Sequence, residues 1–359
     1  MPKFHSLEVI NIRRETPECV SVAFAVPVHL QADFKYLAGQ YLTLKTDIDG
    51  EEVRRSYSIC TSPQEQELRV AIKKVEGGKF STFANGQLRA ETKMDVMTPT
   101  GKFQLKTDKA NENHYVAFAA GSGITPIMAM IKTVLQAEPK SSFTLFYGNR
   151  GFDSIIFREE LENLKNKNLG RLSIHHILSR EHLGSDLFYG RIDEEKCNRF
   201  SKMLFDPQDI ASFYLCGPEQ MIRSASAALK EAGVDEEKIH FELFTSPVGN
   251  LGGETIVRKS RAKDKKVQSE ITIILDGNSV KFPLDSDGET ILDTALNNRM
   301  DLPFACKGGV CATCKAKILE GDVEMEVNYG LEPDEVEAGF VLTCQAHPLS
   351  DKVIVDFDV

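Results

Sequence analysis

The chain has 359 residues, 42% of them hydrophobic, and a formal net charge of −10. This length exceeds what one hydrophobic core usually organises, so two or three domains are expected. The acidity is concentrated at the C-terminus, where residues 270–359 contain 18 acidic and 6 basic residues and leave the upstream chain near +2. Such a balance argues against nucleic acid as a partner and suits docking on a basic partner face or on the chain's own upstream domains, although a merely solvated acidic surface is compatible with it.

Residues 1–108 are predicted to form a small antiparallel β-barrel. Apolar residues alternate with others in 20–26 and 68–72, and turn residues punctuate the segment at Gly39, Asp49-Gly50 and Pro99-Thr100-Gly101. An antiparallel sheet of short strands closes naturally into a barrel.

Residues 109–246 are predicted to form a doubly wound α/β domain. Apolar strands alternate with helical stretches such as 127–135 and 219–231. The predicted strands are Tyr115–Ala119, Phe143–Tyr147, Leu172–Leu178, Phe213–Cys216 and Ile239–Phe244. The periodicity then disappears, and residues 247–269 are predicted to be a flexible basic linker that leads to a C-terminal module, 270–359.

Four cysteines near the C-terminus, with four, two and twenty-nine residues between them, have the spacing of a plant-type 2Fe-2S site. They are Cys306, Cys311, Cys314 and Cys344. Gly308 and Gly309 allow the backbone of the loop to wrap closely around such a cluster. A zinc site or two disulfides fit less well, because zinc sites usually repeat a two-cysteine knuckle. The other four cysteines show no mutual spacing, and no signal peptide or membrane span is evident, so a cytoplasmic location is expected.

Two further motifs predict nucleotide binding. Gly121-Ser122-Gly123-Ile124-Thr125-Pro126 follows the first strand of the parallel sheet and opens its first helix, where a pyrophosphate can bind, although a tight turn alone explains the string equally well. Cys216-Gly217-Pro218 ends a later strand at the same carboxyl edge, which is where ligands bind in open α/β sheets.

The barrel segment carries a second pair of motifs. Arg55-Ser56-Tyr57-Ser58 supplies a cation, a flat ring and a hydroxyl, which are the needs of a bound flavin. Gly77-Gly78-Lys79-Phe80-Ser81-Thr82 supplies amides and hydroxyls for a second phosphate. From strand physics alone, either motif is equally compatible with a structural role.

Taken together, these motifs and their order make the chain similar to the ferredoxin–NADP reductase superfamily, with a plant-type ferredoxin domain fused at the C-terminus. The resemblance covers essentially the whole chain and implies an FAD barrel, an NAD(P) domain and an α+β, β-grasp-like 2Fe-2S domain. Three segments carry a further resemblance, to the reductase subunits of phenylacetyl-CoA epoxidases. They are Arg55–Ser62, Gly121–Pro126 and Asn328–Gln345. Relatives with the same domain order serve other oxygenases, including ketosteroid hydroxylases.

The resemblance also implies roles by position. Catalytic positions would be Ser58 near flavin N5, Cys216 near the nicotinamide ring and Glu242 on the segment that reaches back to the flavin. Further cofactor-binding positions would be Arg55 and Tyr57 on the flavin, Gly78, Ser81 and Thr82 on its adenylate-side phosphate, Gly121, Gly123, Thr125 and Pro126 in the dinucleotide site, and Phe244 beside the flavin. A second phosphate site argues for FAD over FMN.

The coenzyme is expected to be NADPH, with NADH possible. Ser179-Arg180 is similar to the pair that contacts the 2′-phosphate in NADP-using relatives, and Arg150 offers another cation. Both arginines are also compatible with a role as ordinary loop cations, and Asp153 lies close in sequence.

The predicted function is therefore electron transfer from NAD(P)H through FAD and a 2Fe-2S cluster to a separate oxygenase that accepts single electrons, with a diiron epoxidase favoured. A Rieske or ketosteroid oxygenase is the alternative partner. An electron-transfer adaptor without NADPH turnover is the alternative from another class.

Overall fold

The computed structural model describes residues 3–244 and 267–359. It divides into two compact units, Phe4–Phe244 and Thr245–Val359 together with Met1–Lys3. Most of the predicted linker, residues 247–266, lies outside the described residues. The first strand of the C-terminal unit begins at Gln268, so the last two residues assigned to the linker belong to that strand.

Residues 4–97 contain the predicted antiparallel barrel. Its strands are β1 Phe4–Thr16, β2 Cys19–Ala25, β3 Tyr41–Ile48, β4 Glu51–Ser58, β5 Leu68–Lys73 and β6 Lys93–Met97. They are hydrogen-bonded in the order β4-β3-β6-β1-β2-β5. Beyond the end of β4, Ile59 pairs with Val70, and the Cys60 N–H donates to the Arg69 carbonyl at 2.9 Å. These contacts join the two edge strands and close the barrel.

A helix between β5 and β6 was not predicted from the sequence. Helix α1 spans Lys79–Gly86 and buries Phe80, Ser81 and Ala84. The last four residues of the second predicted phosphate motif are therefore the first turn of this helix.

The predicted parallel sheet occupies residues 114–243. Its elements are β7 His114–Ala120, α2 Ile124–Ala137, β8 Ser142–Asn149, α3 Arg158–Lys167, β9 Leu172–Leu178, α4 Glu194–Met203, β10 Ser212–Gly217, α5 Glu219–Glu231 and β11 Ile239–Leu243. The strand order β11-β10-β7-β8-β9 is that of a doubly wound sheet. Helix α2 begins earlier than predicted and includes Pro126, which an α-helix tolerates in its first turn.

The barrel and the parallel sheet share one apolar core. Ala38, Cys60 and Phe103 from the barrel side belong to the same buried cluster as Ile127 and Ile131 of α2. This shared core holds the carboxyl edge of the parallel sheet beside the end of β4. Residues of both domains can therefore contribute to one site.

The C-terminal unit is the predicted α+β domain. Its elements are β12 Gln268–Leu275, β13 Asn278–Asp285, α6 Ile291–Asn297, β14 Lys315–Glu320, β15 Val323–Met325, α7 Pro333–Glu337, β16 Phe340–Leu342, β17 Ala346–Pro348 and β18 Lys352–Asp356. The main sheet has the order β13-β12-β18-β14-β16, and β15 pairs with β17. Within the described parts of the chain, no helix combines the length and apolarity needed to cross a membrane.

Candidate functional site

The four predicted cluster cysteines converge in the C-terminal unit. Cys306, Cys311 and Cys314 lie on the loop between α6 and β14, and Cys344 lies between β16 and β17. The Sγ atoms of Cys306 and Cys311 are 3.1 Å apart. Cys344 makes side-chain hydrogen bonds to Cys306 and Cys314. The fold therefore brings the fourth thiol to the other three across a long separation in sequence.

The loop backbone lies close around these thiols, as predicted from Gly308 and Gly309. The Gly308 N–H donates to Cys306 Sγ at 3.2 Å. Gly309 has φ +71°, and a Cβ on it would lie 2.8 Å from the Val327 carbonyl oxygen. Only glycine combines this positive φ with so close an approach.

Side chains that the sequence did not single out support the site from behind. Gln345 Nε2 donates to the carbonyl oxygens of Lys307 at 3.1 Å and Cys344 at 2.8 Å, which ties the two cysteine segments together. The hydroxyl of Thr343 donates to the Cys314 carbonyl at 3.0 Å. Hydrogen bonds from Cys311 and Cys344 lower the pKa of Cys306, and the same hydrogen bonds raise the pKa of Cys311 and of Cys344. This set of soft donors fits a 2Fe-2S cluster.

In the barrel, the flavin motif lies on the last residues of β4. Arg55 is exposed, Tyr57 is half-buried and Ser58 is buried. The Tyr57 ring packs on Phe80 of α1 with centroids 5.5 Å apart. Arg55 and Tyr57 share one face of the strand, because they are two residues apart. A cation and a ring on one face fit a flavin and its phosphates.

The second barrel motif is placed at the start of α1. Gly78 precedes the helix, and a Cβ on it would lie 2.6 Å from Ser81 Oγ. The Ser81 hydroxyl accepts from the Val75 N–H at 3.1 Å and donates to the Gly78 carbonyl at 3.2 Å. Ser81 thus shapes the loop from inside, whereas Thr82 is exposed. The exposed Thr82 hydroxyl and the amides of the first turn are the groups open to a phosphate.

The dinucleotide loop packs directly on the end of β10. A Cβ on Gly123 would lie 2.0 Å from the Cys216 carbonyl oxygen, so this position admits only glycine. Gly121 has φ +54°, and its carbonyl accepts from the Tyr147 hydroxyl at 2.9 Å. The Thr125 hydroxyl donates to the Ser122 carbonyl at 2.9 Å. These contacts fix the loop at the N-terminus of α2, where backbone N–H groups favour an anion.

A lysine that the sequence did not identify faces this loop from the barrel. Lys73 is the last residue of β5, and a Cβ on Gly121 would lie 3.5 Å from its Nζ. In the sequence, Lys73 is only a lysine at the end of a strand. Such lysines are common, so the sequence gives no reason to single it out. The cation is within reach of a pyrophosphate on the loop.

The predicted catalytic residues meet at the boundary between the barrel and the sheet. Ser58 Oγ donates to Glu242 Oε2 at 3.2 Å. Glu242 on β11 is in register with Cys216 on β10. Burial raises the pKa of Glu242 to about 8, with the Ser58 hydrogen bond acting in the opposite direction. Burial, with the nearby Glu242 charge, also raises the pKa of the Cys216 thiol. Phe244, which follows β11, is 38% exposed.

The predicted ribose-end residues also lie together. The Arg180 N–H donates to the Arg150 carbonyl at 2.9 Å, so the pairing of β8 and β9 continues to both exposed arginines. Ser179 pairs in the same way with Asn149. Tyr189, which the sequence did not identify, bridges to Leu178 and is 42% exposed.

A carboxylate stands close to these arginines. Glu181 follows Arg180, and its Oε2 accepts from the Phe152 N–H at 3.1 Å. A Cβ on Gly151 would lie 2.2 Å from Glu181 Oε1. Glu181 is therefore engaged with the turn after β8.

Three family models match successive parts of the chain. They are the oxidoreductase FAD-binding domain over residues 6–105, the oxidoreductase NAD-binding domain over 118–227 and the 2Fe-2S iron-sulfur cluster binding domain over 273–349. The fold and the sites therefore define a flavin- and iron–sulfur-dependent oxidoreductase that uses a pyridine nucleotide.

Relatives over the full length place it more closely. The chain is 46% identical over 358 residues to one of the subunits of 1,2-phenylacetyl-CoA epoxidase from Escherichia coli, with 100% of this chain and 99% of the relative covered. It is 30% identical over 353 residues to the ferredoxin reductase component of 3-ketosteroid-9-alpha-monooxygenase from Rhodococcus rhodochrous, with 98% and 96% covered. The chain belongs to the ferredoxin–NADP reductase superfamily, in the branch of oxygenase reductase components that carry a C-terminal 2Fe-2S domain.

A solved structure shares the three-domain fold. Phthalate dioxygenase reductase matches with a TM-score of 0.60 and 20% identity over 99% of this chain and 98% of that one. The predicted fold class and cofactor set, FAD, pyridine nucleotide and 2Fe-2S cluster, are confirmed. The chain is therefore a reductase with FAD-binding, NAD-binding and 2Fe-2S domains.

Proposed function

We propose that this chain delivers electrons from NADPH to the diiron oxygenase of a phenylacetyl-CoA epoxidase. The observation that carries the choice of partner is the 46% identity to the Escherichia coli epoxidase protein, which extends over the whole chain and exceeds the 30% identity to the ketosteroid system. When bound, FAD would supply the conversion of a two-electron hydride into single electrons, and the 2Fe-2S cluster would supply one-electron transfer.

The chain's own residues position these groups. Ser58 and Glu242 form a hydrogen-bonded pair at the end of β4, and Glu242 holds a proton near neutral pH because its pKa is about 8. Gly121 and Gly123 hold the dinucleotide loop against β10. Arg55 and Tyr57 offer a cation and a ring for the flavin, and the buried Ser58 hydroxyl holds the half-buried Glu242 carboxyl in place.

The coenzyme proposal rests on the charges at the ribose end. Arg150 and Arg180 are exposed side by side, whereas the nearby carboxylate of Glu181 already accepts a hydrogen bond from Phe152. Two exposed cations suit a 2′-phosphate. The exposed ring of Tyr189 is available to stack on the adenine.

The partner proposal also draws on charge. The C-terminal module carries 18 acidic against 6 basic residues, so we expect a basic docking face on the oxygenase.

All four cysteines outside the cluster are free and buried, which agrees with a reducing cytoplasmic compartment.

An anaerobic absorption titration tests the relay and the coenzyme together. NADPH should bleach both flavin and cluster bands at concentrations at which NADH is poorly effective. Arg180→Ala should raise the KM for NADPH about tenfold to a hundredfold by removing charge-assisted hydrogen bonds, and leave the KM for NADH nearly unchanged. Equal effects on both coenzymes would remove the 2′-phosphate proposal.

Reconstitution tests the partner. The reductase is mixed with purified oxygenase components of a phenylacetyl-CoA epoxidase, a Rieske oxygenase and a ketosteroid oxygenase, and coupled product formation is measured. Coupled turnover with the epoxidase alone supports the proposal. Coupled turnover with the Rieske or the ketosteroid oxygenase instead would reassign the partner. If NADPH were not oxidised with any acceptor, the alternative of an electron-transfer adaptor without NADPH turnover would be favoured.

A further inference from the structure

A buried lysine lies between the barrel and the parallel sheet, away from the reacting atoms. The Lys132 side chain on α2 is 6% exposed, and its Nζ contacts Glu160 Oε1 at 2.5 Å and Glu65 Oε1 at 3.2 Å. Burial alone lowers the pKa of Lys132, but the two carboxylates outweigh it and the net shift is upward. The lysine is therefore charged and held between two acids.

One of these acids belongs to the barrel. Glu65 ends the turn that follows β4, seven residues after Ser58, and its Oε2 accepts from the Ser62 N–H at 2.7 Å. Ser62 is fully buried, and its hydroxyl donates to Gln136 Oε1 at 2.9 Å. Lys132 and Gln136 are four residues apart and so share one face of α2. The turn after β4 is thus tied to α2 at two successive helical turns.

The other acid comes from the start of α3. Glu160 lies in the first turn of that helix, which follows Phe157. Phe157 is buried and has φ +61°, a left-handed conformation that is unusual for a bulky residue and persists only where the surroundings impose it. The backbone therefore turns sharply at Phe157, three residues before Glu160, which contacts Lys132.

The connection runs from the flavin motif to the dinucleotide loop. Helix α2 begins at Ile124, directly after Gly121 and Gly123, and Lys132 lies eight residues further on, or about 12 Å along the axis. β4 ends at Ser58, and the turn that carries Glu65 begins five residues later, at Pro63. The ion pair therefore links the two elements that must present the coenzyme and the flavin to each other.

We propose that Lys132 is a positioning residue whose ion pairs with Glu65 and Glu160 set the approach of the coenzyme loop on α2 to the flavin site on β4. This rests on the proposed function, in which hydride passes from the coenzyme to the flavin. Lys132 touches neither group. It fixes the distance between the elements that bind them.

The test uses the flavin- and cluster-loaded protein and the variant Lys132→Met, which keeps the length of the side chain and removes its charge. Mixed anaerobically with NADPH, it should lose the long-wavelength charge-transfer absorption of stacked nicotinamide and flavin. Flavin reduction at saturating NADPH should slow about 10²-fold, the cost of a misplacement near 1 Å, while the Kd for NADPH changes little. Lys132→Arg should restore much of the absorption.

Lys140→Met is the matched control, because Lys140 forms an exposed ion pair with Glu112 in the same domain. It should leave absorption and rate unchanged. If Lys132→Met does not fold, Glu65→Gln weakens only the link to the barrel and should show the same loss of charge-transfer absorption.

The inference would be overturned if the variant that folds shows normal charge-transfer absorption and a normal rate of flavin reduction at saturating NADPH. A lower Tm in that variant would not rescue it, because a purely structural role changes only the Tm. Absence of flavin reduction by NADPH in the unmodified protein would instead contradict the proposed function.

Discussion

Ser58 Oγ donates to Glu242 Oε2 at 3.2 Å, although 184 residues separate them along the chain. The bond joins the last residue of β4 in the barrel to β11 at the edge of the parallel sheet. It places a hydroxyl and a half-buried carboxyl side by side at the end of the predicted flavin motif. Substitutions at this pair therefore test the proposed hydride transfer directly.

Replacing Ser58 with alanine should slow flavin reduction by NADPH about 10²-fold, because the hydroxyl that orients the Glu242 carboxyl beside the proposed flavin site is lost. Anaerobic stopped-flow absorbance of the flavin band measures it. Ser56→Ala is the control, since the Ser56 hydroxyl bonds Thr43 Oγ1, at 3.1 Å, on the neighbouring strand. A Ser58→Ala rate equal to that of Ser56→Ala would remove Ser58 from the reacting site.

Stability should fall as pH rises through the range in which Glu242 titrates. Its pKa in the folded protein is about 8, above the ordinary value of 4.5. Below about 4.5 the carboxyl is neutral in both states and costs nothing; between 4.5 and 8 the unfolded chain releases its proton while the folded chain retains it, so stability declines.

Thermal unfolding from pH 5 to 9 measures this slope for the cofactor-loaded protein. Glu242→Gln stays neutral throughout and should show a flatter profile over that window. The same slope in both proteins would mean that Glu242 does not carry the raised pKa.

Gly123→Ala should abolish tight coenzyme binding, raising the KM for NADPH at least about tenfold. Its methyl group would meet the Cys216 carbonyl oxygen at 2.0 Å and push the loop away from β10. Gly86→Ala is the matched change, because among the described residues a Cβ there meets nothing within 4 Å apart from its chain neighbours and the backbone of its own helix. Steady-state kinetics compare the two, and similar KM values would show that the loop tolerates displacement.

Lys73→Met should weaken coenzyme binding about tenfold, since a cation facing the pyrophosphate is removed. The loss should shrink at high ionic strength, because salt screens the interaction in the unmodified protein. Lys74→Met, at the exposed neighbouring position, is the control. Isothermal titration at two salt concentrations tests this, and equal Kd values for the two variants would exclude a role for Lys73.

Cys311→Ser should leave NADPH-driven flavin reduction intact and abolish electron delivery to one-electron acceptors. A hydroxyl is a poor substitute for a thiolate on iron. Iron and acid-labile sulfide content, together with cytochrome c reduction, measure the effect. Cys197→Ser, a buried thiol on α4, should retain both activities. Full delivery by Cys311→Ser would contradict the cluster relay.

Much of the architecture was predictable because its signals are local. The alternation of strand and helix from residue 114 predicted the parallel sheet, with strand ends within about two residues of those observed. Helix α1 was missed, since its first residues resemble a phosphate loop, and the Ser81 hydroxyl bonds within that loop instead of facing outward. Short helices carry too little periodicity to be identified from one sequence.

The sequence by itself predicted the 2Fe-2S site from the spacing of four cysteines. It also supplied glycines at a strand-to-helix turn, whereas the flavin role of Arg55–Ser58 and the dinucleotide role of that turn were implied by the resemblance to a known family. Only the tertiary structure decided which distant side chains meet. Lys73 lies beside Gly121, Lys132 joins Glu65 to Glu160, and Glu242 is hydrogen-bonded to Ser58 with its pKa raised. The physical reason is that strand order and domain packing set contacts between residues far apart in the chain, and burial sets their charge, neither of which a local pattern of residues encodes.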